Sequence, residues 1–498
     1  MNTTLDLDKR IIAEELDNWS PLDVHVWSSY SEVNGAVDHL FDLLSQLPQF
    51  SGNKIIRKKH IKVVILDLYA KWLVDPTMYC GYYRAVNHYS NIEARYNKLH
   101  ISKLTIKIVD ALHEAGYITH FKGHYGREGG GSSHMSRMRA TEQLIGLIID
   151  QHSMQPEMIE RVPNTESVIL RNEDKDDVDY EETDVTRRMR RLLCEYNNVL
   201  RSNHIGLPHT AKQGTEISPA GKRVHINQRD KFVRRIFNNN SWGEGGRFYG
   251  GWWQIIPKSW REDIRINGVP TVELDYSSFH IIMLYHLEGI DYLNAYDVDP
   301  YLLPCYESSK RMRGLLKQVL LSAICAKDRQ AALRGIRKEV NFNPEEYGWV
   351  KEEGLDIELV ISEFEKQHPV IGKYFFSGFG VRLQYIDSLI AGEIVERYTD
   401  EGIPVLCIHD SFIVPVQYEE DLRGVMESAY RSVMSSYCAM PQVNLKTTIA
   451  DDDYQWGRYM HDSTSLYGYV AAGTGDAVFD EEAKRYSPDV YGYEEYYI

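Results

Sequence analysis

The chain has 498 residues, 43% of them hydrophobic and 26% charged, too many for one ordinary domain and enough for about two to four with sizeable cores. No apolar run reaches roughly 18 residues, the opening MNTTLDLDKRIIAEELDNW is acidic and polar, and the six cysteines show neither CxxC pairing nor zinc-ligand spacing, which excludes a membrane-spanning, exported or disulfide-stapled class and predicts a cytoplasmic protein with reduced thiols. A net charge of -16 argues against a nucleic-acid partner only until its distribution is seen: acid concentrates at 171–184 and after about 470, while basic residues cluster at 54–60, 122–139, 187–201, 221–235 and 308–317.

In chain order, residues 1–50 read as an N-terminal helical extension. Between about 54 and 150, KIIRKKHIKVVILDLYAKWLV, NIEARYN and SKLTIKIVDALHEAG read as three helices. In the third, Leu104, Ile106, Ile108, Val109 and Leu112 trace an apolar stripe that Gly116 ends. YITHFKGHYGREGGGSSHMSRMRAT then reads as two strands around a glycine-rich wing. Residues 151–185 read as a polar, acidic linker, followed from about 186 to 205 by a basic amphipathic helix, TRRMRRLLCEYNNVLRSN. From about 225 to 460 short strand-like runs alternate with helices without an internal repeat, an α+β pattern. The tail, 461–498, is rich in Tyr, Gly and acid, has no periodicity, and is expected to be mobile.

Three helices and a winged hairpin over 51–150 resemble a winged helix-turn-helix domain, a DNA-binding module. The resemblance implies that Lys122, His124, Arg127, His134, Arg137 and Arg139 reach phosphates from the hairpin. The plainer alternative is a solvated basic loop.

The chemistry concentrates further on. In TVELDYSSFHIIMLYHL, the apolar run Val272–Leu274 reads as a buried strand that delivers Asp275 at its end, ahead of a helix. In IPVLCIHDSFIVPV, apolar Val405–Ile408 and Phe412–Val416 flank His409-Asp410-Ser411, a β-hairpin with an acid at its turn. Aspartates on two neighbouring strand ends can hold two Mg²⁺ ions about 4 Å apart. Between them, Arg313 and Lys317 share one face of a helix and could grip a triphosphate. Each feature alone is more often structural.

The order of the three, however, resembles family A DNA polymerases, the bacterial DNA polymerase I type. DYSSFHIIMLYHL is similar to their motif A, Arg313 to Lys317 to motif B, and IHDSFIVPV to motif C. Gly246-Arg247 and Ile256-Pro257 match upstream elements, and Gln384 is a fainter match to a template-contacting helix. The resemblance covers about 240 to 457. It implies that Asp275 and Asp410 bind two Mg²⁺, that Arg313 and Lys317 neutralise the nucleotide's triphosphate with Lys317 able to protonate the leaving group, and that Tyr276, His280 and Cys325 lie at the nucleotide. Arg247, Gln384 and His409 would lie at the primer or template.

Departures from the pattern are specific. His280 stands where the family has a glutamate that helps exclude ribose, and Leu321, Cys325 and Ala326 replace motif B's aromatic and Tyr-Gly pair. Motif C ends His-Asp-Ser, similar to single-subunit phage-type RNA polymerases. Other residues carry open alternatives: Glu273 supports the metal site or is a strand-edge acid, Asp451-Asp452-Asp453 is a solvated loop or matches the family's last strand, and Tyr249, Trp252 and Trp253 stack on bases or fill a core.

The expected architecture is an α+β right-hand palm with short helical fingers over 241–460, a linker and thumb-like helical region over 151–240, and the mainly helical winged-helix domain over 51–150. The expected activity is primer extension by two-metal nucleotidyl transfer, with DNA polymerase favoured and a primer-template and nucleoside triphosphates as partners. The alternatives are an RNA polymerase or primase-like enzyme with relaxed sugar choice, and a DNA-binding initiator with an inactive palm. The reduced length suggests a specialised enzyme of a mobile element, phage or plasmid.

Overall fold

The computed structural model describes residues 16–47, 50, 52–90, 94–123, 135–208, 214–219, 221–296, 298–438 and 449–450. Helices and mainly antiparallel sheets alternate, so the chain is α+β. It divides into two compact units, one of Met1–Arg190 with Lys212–Arg229, the other of Arg191–Ala211 with Asp230–Ile498. Among the described residues no helix is long and apolar enough to cross a membrane.

The first unit runs β1 (Trp19–Pro21), α1 (Ser31–Leu44), α2 (Lys54–Val74), β2 (Tyr79–Tyr82), α3 (Leu104–Glu114), β3 (Ile118–Phe121) and β4 (Ser136–Ala140). Asn53 starts α2 by accepting bonds from the Ile55 and Ile56 amides. The four strands form one sheet in the order β1-β2-β4-β3. Val33, Val37 and Leu40 recur at helical spacing on α1 and bury against Ile61, Ile65, Ile108 and Leu112. Helix α1 therefore belongs to this core, and no separate extension ends at residue 50.

Two expectations for this unit fail for the same reason, which is tertiary pairing of polar residues. NIEARYN forms no helix over its described residues 94–97. Asn97 instead clasps the backbone of Ile101, accepting from its amide at 2.8 Å and donating to its carbonyl at 2.9 Å, while Tyr96 donates to the Val178 carbonyl at 2.9 Å. The acidic run expected to be a linker is folded, with β5 (Val168–Arg171) and β6 (Asp177–Val178) pairing as a hairpin. Its acids are counter-charges: Asp179 and Glu182 bind Arg95, and Glu166 and Glu182 bind Arg190. Residues 151–240 hold one long helix, α4 (Asp184–Ser202), among short strands, so a set of thumb-like helices is not present among the described residues.

The second unit is built on a sheet that includes β7 (Ile205–Gly206). A hairpin of β8 (Val233–Asn238) and β9 (Ser241–Gly250) follows, then the short helix α5 (Lys258–Arg261), β10 (Arg265–Ile266) and β11 (Val269–Tyr276). The helices α6 (Phe279–Leu287), α7 (Lys310–Cys325), α8 (Arg329–Phe342), α9 (Ile357–Gln367) and α10 (Gly380–Asp400) come next. The chain then returns through β12 (Leu406–Ile408), β13 (Ser411–Pro415), α11 (Glu419–Ser435) and β14 (Ile449–Ala450). The sheet order is β12-β13-β11-β10-β7, with β14 also on β11. Leu274 and Tyr276 turn to one face of β11, where Tyr276 stacks on Phe279 and donates to the Met426 carbonyl of α11 at 2.5 Å. By strand alternation Glu273 and Asp275 turn to the other face.

Where α7 ends, α10 begins against it. A side chain at Gly380 would place its Cβ 2.4 Å from the Cys325 sulfur and 2.9 Å from the Cys325 Cα, so only glycine fits.

Candidate active site

The apolar runs around residues 405–416 form β12 and β13, joined by a tight turn of His409 and Asp410 because Ile408 pairs with Ser411. His409 takes φ 58° to close it. In register, Asp275 lies opposite Ser411, and the Tyr276 amide donates to the Asp410 carbonyl at 3.3 Å. This pairing brings the end of β11 to the hairpin turn and sets the two aspartates beside each other. Burial and the Asp410 carboxylate raise the pKa of Asp275 to about 7, while Lys258 and Lys317 pull the other way.

Glu273 supports this arrangement rather than lying idle at a strand edge. Arg261 of α5 grips it through two bonds of 2.8 and 2.9 Å, and the Ser411 hydroxyl donates to it at 2.6 Å. One side of the site is thereby fixed by an ion pair beneath the strand.

A second buried ion pair borders the turn. Arg247 of β9 donates through Nε to Asp387 of α10 at 2.6 Å, and the same guanidinium donates to His280 Nε2 at 3.0 Å. Burial lowers the pKa of His280 to about 3, helped by Arg247, Lys317 and His409. The ring is therefore neutral, and with Nε2 accepting, its proton sits on Nδ1. Burial lowers His409 to about 4, and its ring meets Tyr249 edge-on at 5.3 Å. Its Nδ1 is buried without a hydrogen-bond partner.

Helix α7 supplies the cations. Ser309 caps it by accepting from the Met312 amide. Lys317 is exposed, 5.9 Å from the Tyr301 ring, and Arg313 is paired with Asp299 over the same ring. The Tyr301 hydroxyl is buried within the influence of Arg313, Asp410 and Asp275, so it belongs to the site. Cys325 ends the same helix where the Arg247 guanidinium bears on its thiol.

The structure thus gathers Asp275, Asp410, Lys317, Arg313, His280, Arg247, His409 and Cys325 around one region. Tyr276 does not join them, because strand alternation turns it into the core beneath α11. Gln384 lies half-buried on α10, one turn before Asp387, with no side-chain hydrogen bond among the described residues. Trp252 and Trp253 are core residues, Trp253 donating to the Cys407 carbonyl at 3.3 Å.

The first unit corrects one expectation about the wing. Arg137 is buried, stacked 5.0 Å from the Trp19 ring beside Asp17, so it faces inward instead of toward a phosphate. Arg139 is half-buried over Tyr79 and donates to the Thr77 carbonyl at 3.4 Å, whereas Lys122 is exposed. Arg127, His124, His134 and Asp451-Asp452-Asp453 lie outside the described residues.

Sequence patterns do not single out Asp387, Arg261 or Tyr301. Asp387 had a signal: it occupies the apolar stripe Leu383, Ile390, Ile394 of α10, where an acid requires a buried partner. Tyr301 sits in a loop with no periodic cue.

Asp275 and Asp410 are hard oxygen donors whose mutual repulsion a divalent cation would relieve, a set that fits Mg²⁺ with its remaining ligands drawn from water and phosphate. Among the described residues there is no group of three or more His, Cys, Asp or Glu side chains placed to hold a metal by themselves.

No family model matches the chain, and no curated protein sequence does. Among solved structures, the POL domain of Pol1 from M. smegmatis, in complex with DNA primer-template and dNTP, aligns with a TM-score of 0.28 and 9% identity, covering 89% of this chain and 68% of that one.

Proposed function

We propose that the chain is a template-directed nucleic-acid polymerase, with DNA as the favoured product, that extends a primer 3′ end at Asp275 and Asp410 on a right-hand palm. The observation that carries the reading is the pair of neighbouring carboxylates at the junction of β11 and the β12-β13 turn, with the ammonium of Lys317 acting on the same group. Mg²⁺ held by the two aspartates would supply charge stabilisation and activation of a hydroxyl.

The chain's own residues divide the remaining work. Lys317 is exposed and in no ion pair with a carboxylate among the described residues, so it can meet a triphosphate and give a proton to departing pyrophosphate. Arg313 meets the phosphates after exchanging Asp299 for them. Arg247, anchored by Asp387, presents its guanidinium and the neutral His280 at the other side of the pocket. Glu273 and Arg261 keep Asp275 in place from beneath.

The test is purified protein with Mg²⁺, a labelled primer-template, and dNTPs or NTPs in separate reactions. Extension is expected, and Asp275→Ala or Asp410→Ala should lower it about a thousandfold or more, equivalent to roughly 4 kcal/mol of transition-state stabilisation. Absence of synthesis with every template and nucleotide, or near wild-type extension by either variant, would sink the reading.

A further inference from the structure

The helix α8 buries Ala332, Leu333, Ile336 and Val340 and turns the other side to solvent. That solvent side carries Arg334, Arg337, Lys338, Asn341 and Phe342, all exposed. Positions 334, 337, 338, 341 and 342 follow helical spacing, so they form one stripe. Over the eight residue steps from Arg334 to Phe342 it extends about 12 Å.

Two features mark this stripe. The first is a row of uncompensated charge. Several basic residues on and near the neighbouring helices are matched by acids, Arg311 by Glu307 and Glu353, Arg313 by Asp299, Arg329 by Glu365, Lys366 by Glu363 and Lys373 by Glu288, and those without such a match among the described residues, Lys310, Lys317, Lys327 and Lys351, are single lysines, not a row. Arg334, Arg337 and Lys338 have no carboxylate partner among the described residues, in a chain whose net charge is -16. The second is the aromatic ring. Phe342 is 73% exposed at the end of the stripe, with the Lys338 ammonium 5.7 Å from its ring.

We propose that α8 binds single-stranded nucleic acid, with Arg334, Arg337 and Lys338 on successive phosphates and Phe342 as a platform for an unstacked base. Cations in a row followed by an exposed ring match a single strand better than a duplex, because a duplex hides its base faces and offers only phosphates. An acidic protein surface would use the cations and leave the ring without a role. Because α8 packs on α7, the helix of Lys317, the strand would be the unpaired template ahead of the site. Naming it the template rests on the polymerase reading; binding of a single strand does not.

The experiment uses the full chain and fluorescence anisotropy with a labelled dT oligomer, the matching rU oligomer and a blunt hairpin duplex. The variants are Arg334→Gln/Arg337→Gln/Lys338→Gln together, and Phe342→Ala; all these side chains are exposed, and matching thermal unfolding curves verify their fold. Wild type should bind a single strand more tightly than the blunt duplex. The triple variant should lose about tenfold or more in affinity and lower the slope of log K against log salt by about 2, from roughly 0.7 per lost phosphate contact. Phe342→Ala should weaken binding about 5- to 100-fold with the salt slope unchanged. The oligomer with the larger loss identifies the sugar of the strand that the face holds.

Affinity and slope unchanged for both oligomers would overturn the proposal, as would loss of self-association in place of oligonucleotide affinity, which would assign the face to a second copy of the chain. If wild type extends a primer while the variants bind as it does, this inference fails and the polymerase reading stands. If oligomer binding depends on α8 but no nucleotide is ever incorporated, the polymerase reading fails and this one stands.

Discussion

The pair of Arg247 and Asp387 offers a test in which the two partners should fail differently. Asp387 is 1% exposed and Arg247 only 14% at its side chain, and the guanidinium meets one carboxylate oxygen at 2.5 and 2.6 Å. Burial raises the pKa of Asp387 to about 6; Arg247 pulls it down and Asp410 pushes it up. Asp387→Leu strands a guanidinium that cannot deprotonate, which costs about 3–5 kcal/mol at any pH of interest. Arg247→Met strands a carboxylate that can escape by taking a proton.

Starting from an ordinary value of 3.8, that protonation costs at most about 4 kcal/mol at pH 7 and only about 1.6 kcal/mol at pH 5. The sign is that of an acid with a raised folded pKa, whose stability contribution is present at low pH and lost as pH rises. Other charged or titratable groups bearing on Asp387 or its partner include Asp410 in the turn, Cys407 on β12, Tyr276 on β11 and, through Arg247, the neutral His280, His409, Tyr249 and Cys325. Urea unfolding followed by tryptophan fluorescence at pH 7 and pH 5 reads the difference. Arg247→Met should recover most of its stability loss at pH 5, Asp387→Leu should not, and the double variant should be less destabilised than the sum by about 3 kcal/mol. Single losses below about 1 kcal/mol, or strict additivity, would refute the view that this is a buried, mutually dependent pair.

Further outcomes follow from other contacts. Arg261→Leu removes both guanidinium bonds from the buried Glu273 carboxylate, so it should destabilise the chain by about 3 kcal/mol in the same unfolding assay. Gly380→Ala should cost about 1–3 kcal/mol by overpacking, and adding Cys325→Ala should not restore it, because the Cys325 Cα itself lies 2.9 Å from the new Cβ. Asp75 is pushed up by burial, but bonds from Thr77, Thr215 and Asn18 outweigh this and hold it at about 2. Its depressed folded pKa means that the stability difference between wild type and Asp75→Asn should be complete above pH 4 and vanish as pH falls toward 2 in an acid titration followed by circular dichroism. Chelation by EDTA should abolish primer extension, with added Mg²⁺ restoring it.

The places of Asp275 at a strand end and Asp410 in a hairpin turn were legible because strands announce themselves: a short apolar run before Asp275, and continuous apolar runs on both sides of Asp410, leave these acids no place inside a buried strand. The α+β alternation was legible for the same reason. Local pattern misled where distant polar partners decided the conformation. NIEARYN lost its helix to the local clasp of Asn97 on Ile101 and to bonds from Arg95 and Tyr96 to residues far along the chain, and the acidic run at 171–184 folds with its acids paired to Arg95 and Arg190. Nothing in the apolar stripe of helix α1 tells which core it will enter, so its sequence alone does not join it to the core of the first unit.

Cations show the limit most sharply. Arg137 and Arg334 look alike in the sequence, each a basic residue in a basic run. What separates them is the surroundings: the Trp19 ring and Asp17 hold Arg137 inward, whereas Arg334 is exposed with no carboxylate partner among the described residues. A phosphate contact requires a cation that the fold leaves uncompensated, and compensation is a three-dimensional property. For that reason the proposed nucleic-acid surface is α8, where fewer charges are left unmatched beside an exposed ring, and not the wing, where Arg137 and Arg139 are already engaged. If Arg137→Gln proves destabilising without changing the salt slope of DNA binding, while the α8 variant changes the slope without destabilising, the distinction between abundant and available charge holds.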